Sequence, residues 1–180
     1  MPGLLLAQEP PTRRGLWIGL GFGGGQVEHR SDQDPPVRTT TVTASLRIGV
    51  VVVPAVRVGI EANGWLLEPS DFNDPTRGET VNETLFIAEV YPWPTRNLFL
   101  KAGYGWGEFH NKNPASHGSH AFGAVSLGIG YDVPVGRNLF VTMAADYSLG
   151  PGGSVLPPLS PVATGRRFRG WDVIVGIQYH

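Results

Sequence analysis

The chain of 180 residues has no cysteine, few charges and no long apolar run. The missing cysteine excludes disulfide bonds, thiolate metal sites and cysteine nucleophiles. Charged residues make up only 16% of the chain and the formal net charge is −1, which excludes the basic surface that nucleic acids require. No stretch approaches the roughly 18 consecutive apolar residues of a membrane-crossing helix. The sequence therefore contains no candidate for a membrane-crossing helix.

Helical periodicity is also scarce, whereas segments that alternate with a period of two residues recur throughout the chain. Eight such segments follow one another: RGLWIGLGFGGG, TVTASLRIGVV, VRVGIEANGW, ETLFIAEVY, LFLKAGYGWG, AVSLGIGYD, LFVTMAADY and GWDVIVGIQYH. Short turns built on Pro, Gly and Asn (VVPA, YPWPTRN and VPVGRN) alternate with long polar stretches at 27–40, 66–82, 108–120 and 149–167. This order predicts an all-β, eight-stranded, antiparallel up-and-down barrel.

Each segment has one apolar face and one face that holds glycine and the charges. The charged positions are Arg47, Arg57, Glu61, Glu89, Lys101, Asp132, Asp146 and Asp172. The bore of an eight-stranded barrel is just wide enough for side chains to fill, so glycine there leaves room for long side chains. We therefore predict that the charged face lies inside and that the apolar face meets lipid. Soluble β-structure with the apolar face inside is the alternative.

The charges of this inner face are close to balance. The predicted network comprises Arg47, Arg57 and Lys101 set against Glu61, Glu89, Asp146 and Asp172. A buried charge is tolerated only when it is paired and hydrogen-bonded. We therefore predict that ion pairs plug the lumen, with a pore lining and a proton relay as the alternatives.

Tyrosine and tryptophan cluster near the ends of the segments, which is typical of the aromatic girdles at the two interfaces of a membrane barrel. By the short turns lie Tyr91, Trp93, Tyr131 and Tyr179, and towards the long loops lie Trp106, Tyr147 and Trp171. Segments of this length also suit the ~9–11 residues of a tilted transmembrane strand.

The segments RGLWIGLGFGGG, NLFLKAGYGWG, SLGIGYDVP and VIVGIQYH resemble the small outer-membrane β-barrel superfamily that includes OmpA-like and OmpX-like proteins. The resemblance covers residues 14–180. It implies a transmembrane barrel in a Gram-negative outer membrane, with short periplasmic turns and longer extracellular loops. It implies outer-membrane lipids, lipopolysaccharide and the assembly machinery as partners, for a monomer or a part of a larger envelope assembly.

The two ends of the chain fit this resemblance. Members carry a C-terminal signal of alternating apolar residues that ends in an aromatic, which the stretch from Val173 to Tyr179 resembles, although His180 follows the aromatic here. At the other end, the only apolar run is Leu4 to Ala7. Because a complete signal peptide needs ~7–15 apolar residues, residues 1–13 are predicted to be a tail or a signal-peptide remnant.

The segment HNKNPASHGSH carries the strongest catalytic candidate. His117-Gly-Ser119 resembles the His-x-Ser of outer-membrane lipid A deacylases, in which the base must reach the hydroxyl. The Asn that follows the Ser in that family is His120 here, and the nearest acid, Asp146, is predicted to face the lumen. We therefore expect no enzyme, with a deacylase as an alternative. The three histidines, which include His110, lack a carboxylate at motif spacing, so no metal site is predicted.

Two further motifs bear on ligands. The stretch ATGRRFRGW places Arg166, Arg167 and Arg169 beside the outer rim, where bidentate hydrogen bonds to lipopolysaccharide phosphates are expected, with a solvated loop end as the alternative. GFGGGQ resembles a nucleotide-binding loop, but no helix follows it, so no cofactor is predicted. The leading hypothesis is a non-enzymatic structural or adhesive barrel. A carrier or narrow channel for small apolar molecules, distinguished by a lateral opening in the wall, is the second.

Overall fold

The computed structural model describes residues 14–30, 36–68, 79–93, 96–111, 118–150 and 167–180. Its strands are β1 (Gly15–Arg30), β2 (Val37–Val53), β3 (Val56–Glu68), β4 (Glu79–Val90), β5 (Leu98–Asn111), β6 (Gly118–Pro134), β7 (Leu139–Gly150) and β8 (Arg167–Tyr179). Neighbours in chain order are antiparallel and β8 pairs with β1, so the sheet closes into a barrel. The predicted fold class is confirmed. Within the described ranges, no helix is long and apolar enough to cross a membrane.

The stagger of the strands fixes the width of the barrel. Following hydrogen-bonded partners from Trp17 on β1 once around the wall leads to Val27, ten residues further along the same strand. With eight strands, such a stagger tilts the strands by roughly 40° and leaves a bore that side chains can just fill.

The short turns and the long connections lie at opposite ends, as predicted, but the strands are longer than the sequence indicates. They span 12 to 17 residues and continue into all four stretches that the sequence assigns to loops. The β1–β2 ladder, for example, extends to the pair His29 and Val37. The polar outward residues of these stretches hide the alternation, whereas their inward residues still pack together. The predicted tail at 1–13 lies outside the described residues.

Burial alternates along each strand and places the charged face inside. On β8, Asp172 and Ile174 are 1% and 3% exposed. Their neighbours on the other face are 49–56% exposed, and these are Trp171, Val173, Val175, Ile177 and Tyr179. The wall is therefore apolar outside and mostly polar within, the reverse of a soluble barrel.

Glycine makes room inside the bore, as the sequence suggests. A Cβ added at Gly128 would run into the carboxylate of Asp146, and one at Gly130 would run into the ring of Phe99. These two glycines of β6 therefore allow bulky side chains of β7 and β5 to lie across the bore.

Candidate functional site: the filled lumen and the outer rim

Arg57 on β3 organises the end of the lumen that lies by the short turns. Its side chain is 1% exposed, forms an ion pair with Glu89 on β4 and lies 3.5 Å from a carboxylate oxygen of Asp132 on β6. Its Nη1 lies 3.1 Å from Nε2 of His180, and the hydroxyl of Tyr91 donates to Asp132 over 2.6 Å. These five residues, the floor cluster, connect three strands to the residue that follows β8.

Tyr91 is not part of the outer girdle, so its sequence assignment is wrong. It is 1% exposed, and the Arg57 guanidinium carbon lies 4.9 Å from its ring centroid and from that of Trp17, and 5.3 Å from that of Phe99. The reason is strand parity, because Glu89 points inward and Tyr91 follows it by two residues. Its backbone N–H donates to the carbonyl of Ala55 over 2.8 Å, which connects the end of β4 to the turn between β2 and β3.

Further into the barrel, two cations and two carboxylates alternate in a closed circuit, the charge ring. Arg47 Nε lies 2.5 Å from Glu61, and Glu61 lies 2.7 Å from the ammonium of Lys101. Lys101 lies 2.9 Å from Asp146, and Asp146 lies 3.3 Å from Nη2 of Arg47. All four side chains are at most 5% exposed. The ring crosses the bore between β2, β3, β5 and β7. Each of its two carboxylates therefore contacts both cations.

Two buried carboxylates lie beyond the charge ring and have no such compensation. Glu83 on β4 accepts a hydrogen bond from the Ser148 hydroxyl over 3.1 Å, and Asp172 on β8 accepts one from Thr43 over 3.2 Å. Among the described residues, neither carboxylate lies within ion-pair distance of a cation.

The predicted charge balance of the lumen is therefore wrong. The described interior holds three cations and six carboxylates, because Glu83 and Asp132 join the seven residues of the predicted network. Glu83 is the first residue of the segment ETLFIAEVY and shares the parity of Glu89, so the alternation already pointed it inward. The structure does bring all seven predicted residues into the bore, each at most 5% exposed.

The loop-side end of the lumen is closed by an apolar roof, which the sequence does not predict. The roof is a cluster of buried side chains, namely Val27, Trp65, Leu67, Val81 and Phe168, with Phe109 and Phe122 packed against it. The ring centroids of Trp65 and Phe168 are 5.6 Å apart, and Phe122 stacks on Phe168 at 5.3 Å. Continuing the parity of Glu61 along β3 would have pointed Trp65 inward.

The bore leaves almost no free volume at the level of the charge ring. A void beside Arg47, lined also by Ser45, Thr142 and Ile174, measures about 10 Å³. A single water needs roughly 10–15 Å³ of such volume. The side chains of the charge ring, which are at most 5% exposed, therefore occupy the bore at this level.

The outer face carries the other predicted aromatic residues. They are 42–55% exposed and comprise Trp93, Trp106, Tyr131, Tyr147, Trp171 and Tyr179. Tyr147 and Trp171 are neighbours in the β7–β8 ladder on the loop side, whereas Tyr179 is the last residue of β8 on the turn side. Two aromatic levels therefore border the apolar belt.

Basic side chains lie just beyond the loop-side aromatic level. Arg169 and Arg167 are exposed and follow Trp171 outward along the same face of β8. Arg169 pairs in the ladder with Glu28, which lies 2.7 Å from Nε of Arg38. Arg166 lies outside the described residues.

The acid that the deacylase hypothesis names, Asp146, lies far from Ser119 in the structure. His117 lies outside the described residues, and Ser119 on β6 pairs in the ladder with His110 on β5. Asp146 pairs with Gly128, nine residues along β6 from Ser119, or about 30 Å along the strand. Asp146 is also engaged in the charge ring, so it does not orient a histidine near Ser119.

No family model matches this chain, and no curated protein matches it in sequence. Its structure is similar to that of neisserial surface protein A, with a TM-score of 0.61, 8% identity and coverage of 92% of this chain and 96% of that one. It is also similar to Ail, the attachment invasion locus protein of Yersinia pestis (TM-score 0.55, 12% identity, 92% and 99% covered). A third is the outer membrane protein OprG from Pseudomonas aeruginosa (TM-score 0.55, 12% identity, 95% and 98% covered). The chain therefore has the fold of the small eight-stranded outer-membrane β-barrels.

Proposed function

We propose that this chain is a non-enzymatic integral barrel of a Gram-negative outer membrane, with a structural or surface-interaction role and a plugged lumen. The observation that carries this proposal is the distribution of exposure over the wall. The nine charged side chains of the described interior are at most 5% exposed, whereas large apolar side chains on the outer face are 38–72% exposed. Lipid is the solvent that suits such a surface, because a closed barrel satisfies its own backbone groups.

The apolar belt has the height that a membrane barrel needs. On the outer face of β8, the residues from Tyr179 to Trp171 are apolar or aromatic, and Arg169 follows them. Eight residue steps span about 26 Å along a strand, or about 20 Å of height at a tilt of roughly 40°. This is close to the ~25 Å apolar band of outer-membrane barrels.

The filled bore supports a plug rather than a passage. The floor cluster, the charge ring and the apolar roof occupy successive levels. A carrier for apolar molecules would need a lateral opening, but hydrogen-bonded ladders join every neighbouring pair of the eight strands. No contact in the described interior favours the channel over the plug.

The outer rim is where we place the interaction. Arg167 and Arg169 lie beyond Trp171 on β8, where we expect the lipid headgroups to begin. Guanidinium groups bind phosphate oxygens in bidentate pairs, so the phosphates of lipopolysaccharide are the proposed partner. Outer-membrane lipids and the assembly machinery are proposed as further partners, for a monomer or a part of an envelope assembly.

Two measurements test the proposal. Detergent-refolded protein is expected to migrate faster on a gel unboiled than boiled, because a closed membrane barrel resists unfolding. A monodisperse monomer in the absence of detergent would contradict the membrane assignment. In planar bilayers we expect no steady conductance, and stable ion-selective openings would reject the plug and favour the channel.

A further inference from the structure

The level between the charge ring and the apolar roof is polar, buried and short of positive charge. This acid layer consists of Glu83 and Asp172 with Thr43, Asn63, Ser126 and Ser148, all at most 3% exposed. Along β3, Asn63 lies between Glu61 of the ring and Trp65 of the roof, and along β7 Ser148 follows Asp146 of the ring by two residues. The layer is therefore enclosed on both sides by packed side chains.

The two carboxylates of the acid layer keep unsatisfied oxygens. Each accepts one hydroxyl hydrogen bond, and among the described residues neither Oε1 of Glu83 nor Oδ1 of Asp172 has a partner. Asp172 also stands opposite Asp146 in the β7–β8 ladder. Like charges directly opposite each other destabilise a sheet, and an uncompensated charge away from water costs far more than a paired one.

Two neutral side chains give an independent indication of a ligand. The hydroxyl of Ser126, which is 0% exposed, and Oδ1 of Asn63, which is 3% exposed, have no hydrogen-bond partner in the part of the chain that the structure describes. Ser126 is the ladder partner of Ser148, which binds Glu83, and Asn63 is the ladder partner of Glu83 itself. Unused oxygens therefore adjoin the uncompensated carboxylates.

The charged groups nearest to the layer belong to the ring and do not supply the missing charge. Glu61 and Asp146 add negative charge from β3 and β7. The cations Arg47 and Lys101 each already contact at least two carboxylates. Within the described residues, no cation forms an ion pair with Glu83 or Asp172.

We propose that the acid layer is a binding site for positive charge taken from solution when the barrel folds. The charge is supplied either by protons or by a small metal cation that oxygen ligands hold. Within the described residues, no group of three or more His, Asp or Glu side chains is arranged to hold a metal ion. A metal cation would therefore depend on the oxygens of Asn63 and Ser126, whereas protons require only the two carboxylates.

The test is a linkage measurement on the full chain refolded into detergent or lipid. The unfolding equilibrium constant is measured across pH 5.5 to 8.5 at fixed salt, and at fixed pH in sodium, calcium or choline chloride. Each proton that the fold holds and the unfolded chain releases makes this constant rise by about tenfold per pH unit. If a metal cation is bound, the unfolding equilibrium constant is expected to be larger in choline chloride than in sodium or calcium chloride.

The matched variant is the double substitution Glu83→Gln and Asp172→Asn, which keeps shape and removes both charges. It is expected to abolish the linked dependence, and Asp172→Asn alone to reduce it, with gel mobility reporting that each barrel has folded. The control Glu89→Gln removes a carboxylate that Arg57 already compensates, so it is expected to lower stability and keep the dependence. If the wild type and the double variant respond identically to pH and to cations, the proposal is wrong.

Discussion

The charge ring and the acid layer are adjacent levels of one bore, yet their carboxylates are held in opposite ways. In the ring, Glu61 and Asp146 each contact both Arg47 and Lys101. In the acid layer, the described hydrogen bonds of Glu83 and Asp172 come from hydroxyl groups. A carboxylate is therefore part of a neutral circuit at one level, whereas at the next level no described cation of the protein compensates it.

This difference determines what removal of a charge should do. A buried ion pair adds little net stability compared with an apolar replacement, but breaking one leaves an uncompensated charge and is costly. In the ring, loss of one member creates such a charge. In the acid layer, neutralising a carboxylate by substitution instead removes a charge that no described cation compensates. Removing one charge should therefore lower stability in the charge ring and should not lower it in the acid layer.

The largest effect is expected from Arg47→Met, which leaves Glu61 and Asp146 each short of one cation. We expect a loss of about 3–5 kcal/mol in the free energy of unfolding. Denaturant titration of protein refolded into lipid vesicles measures it. The matched substitution Glu83→Gln in the acid layer should leave stability unchanged or increase it. Equal losses for the two variants would show that the two levels do not differ.

The outer face extends the comparison to a surface where a charge finds no partner. Val175→Lys places an ammonium near the middle of the lipid-facing belt and is expected to cost ~2–4 kcal/mol. Ile174→Lys points into the bore, two residues from Asp172, where its charge gains a carboxylate and its stem loses packing. We therefore expect the heat-modifiable fraction after refolding into lipid to fall much further for Val175→Lys. The reverse order would mean that the charged face is outside.

Alternation alone predicts most of this fold from the sequence. The parity of Arg57 and Glu61 within one strand, together with glycine on the same face, places the inside correctly. The alternation fails where polar residues occupy the outward positions beyond the lipid, so Val27 and Val81 fell within the stretches assigned to loops. Strand length beyond the membrane is set by ladder hydrogen bonds and by packing inside the mouth, which composition does not reveal.

The sequence predicts which residues of the charge network lie in the bore, but it does not predict which of them form ion pairs. Which carboxylate meets which cation depends on the stagger of the barrel, because Lys101 on β5 reaches Asp146 on β7 across the bore. The isolation of Glu83 depends on the same stagger. Tyr91 shows a different error, since its position by a turn suggested a girdle while the parity of Glu89 already pointed it inward.

A smaller effect is expected where glycine makes room for the charge ring. A Cβ at Gly128 would meet the Asp146 carboxylate, so Gly128→Ala should displace it from Lys101 and cost about 1–3 kcal/mol. The control Gly136→Ala in the turn meets only the Leu139 side chain, at 3.5 Å, and should change stability little. Denaturant titration of both variants compares them. Equal stability would show that the ring tolerates displacement of one member.

The smallest effect on stability is expected at the rim, where the arginines are solvated and the barrel does not depend on them. Arg169→Gln removes a guanidinium just beyond Trp171 and should leave heat modifiability unchanged, because exposed ion pairs contribute little to folding. It should weaken binding of the refolded barrel to lipopolysaccharide by about two- to fivefold, the range of an exposed ion pair. Arg96→Gln, on an exposed residue by a short turn at the opposite rim, is the matched control and should leave that affinity unchanged. If both variants weaken the binding of lipopolysaccharide equally, the overall charge of the barrel explains the attraction and the rim site does not. If neither variant weakens binding, the proposed phosphate-binding role of Arg169 is wrong.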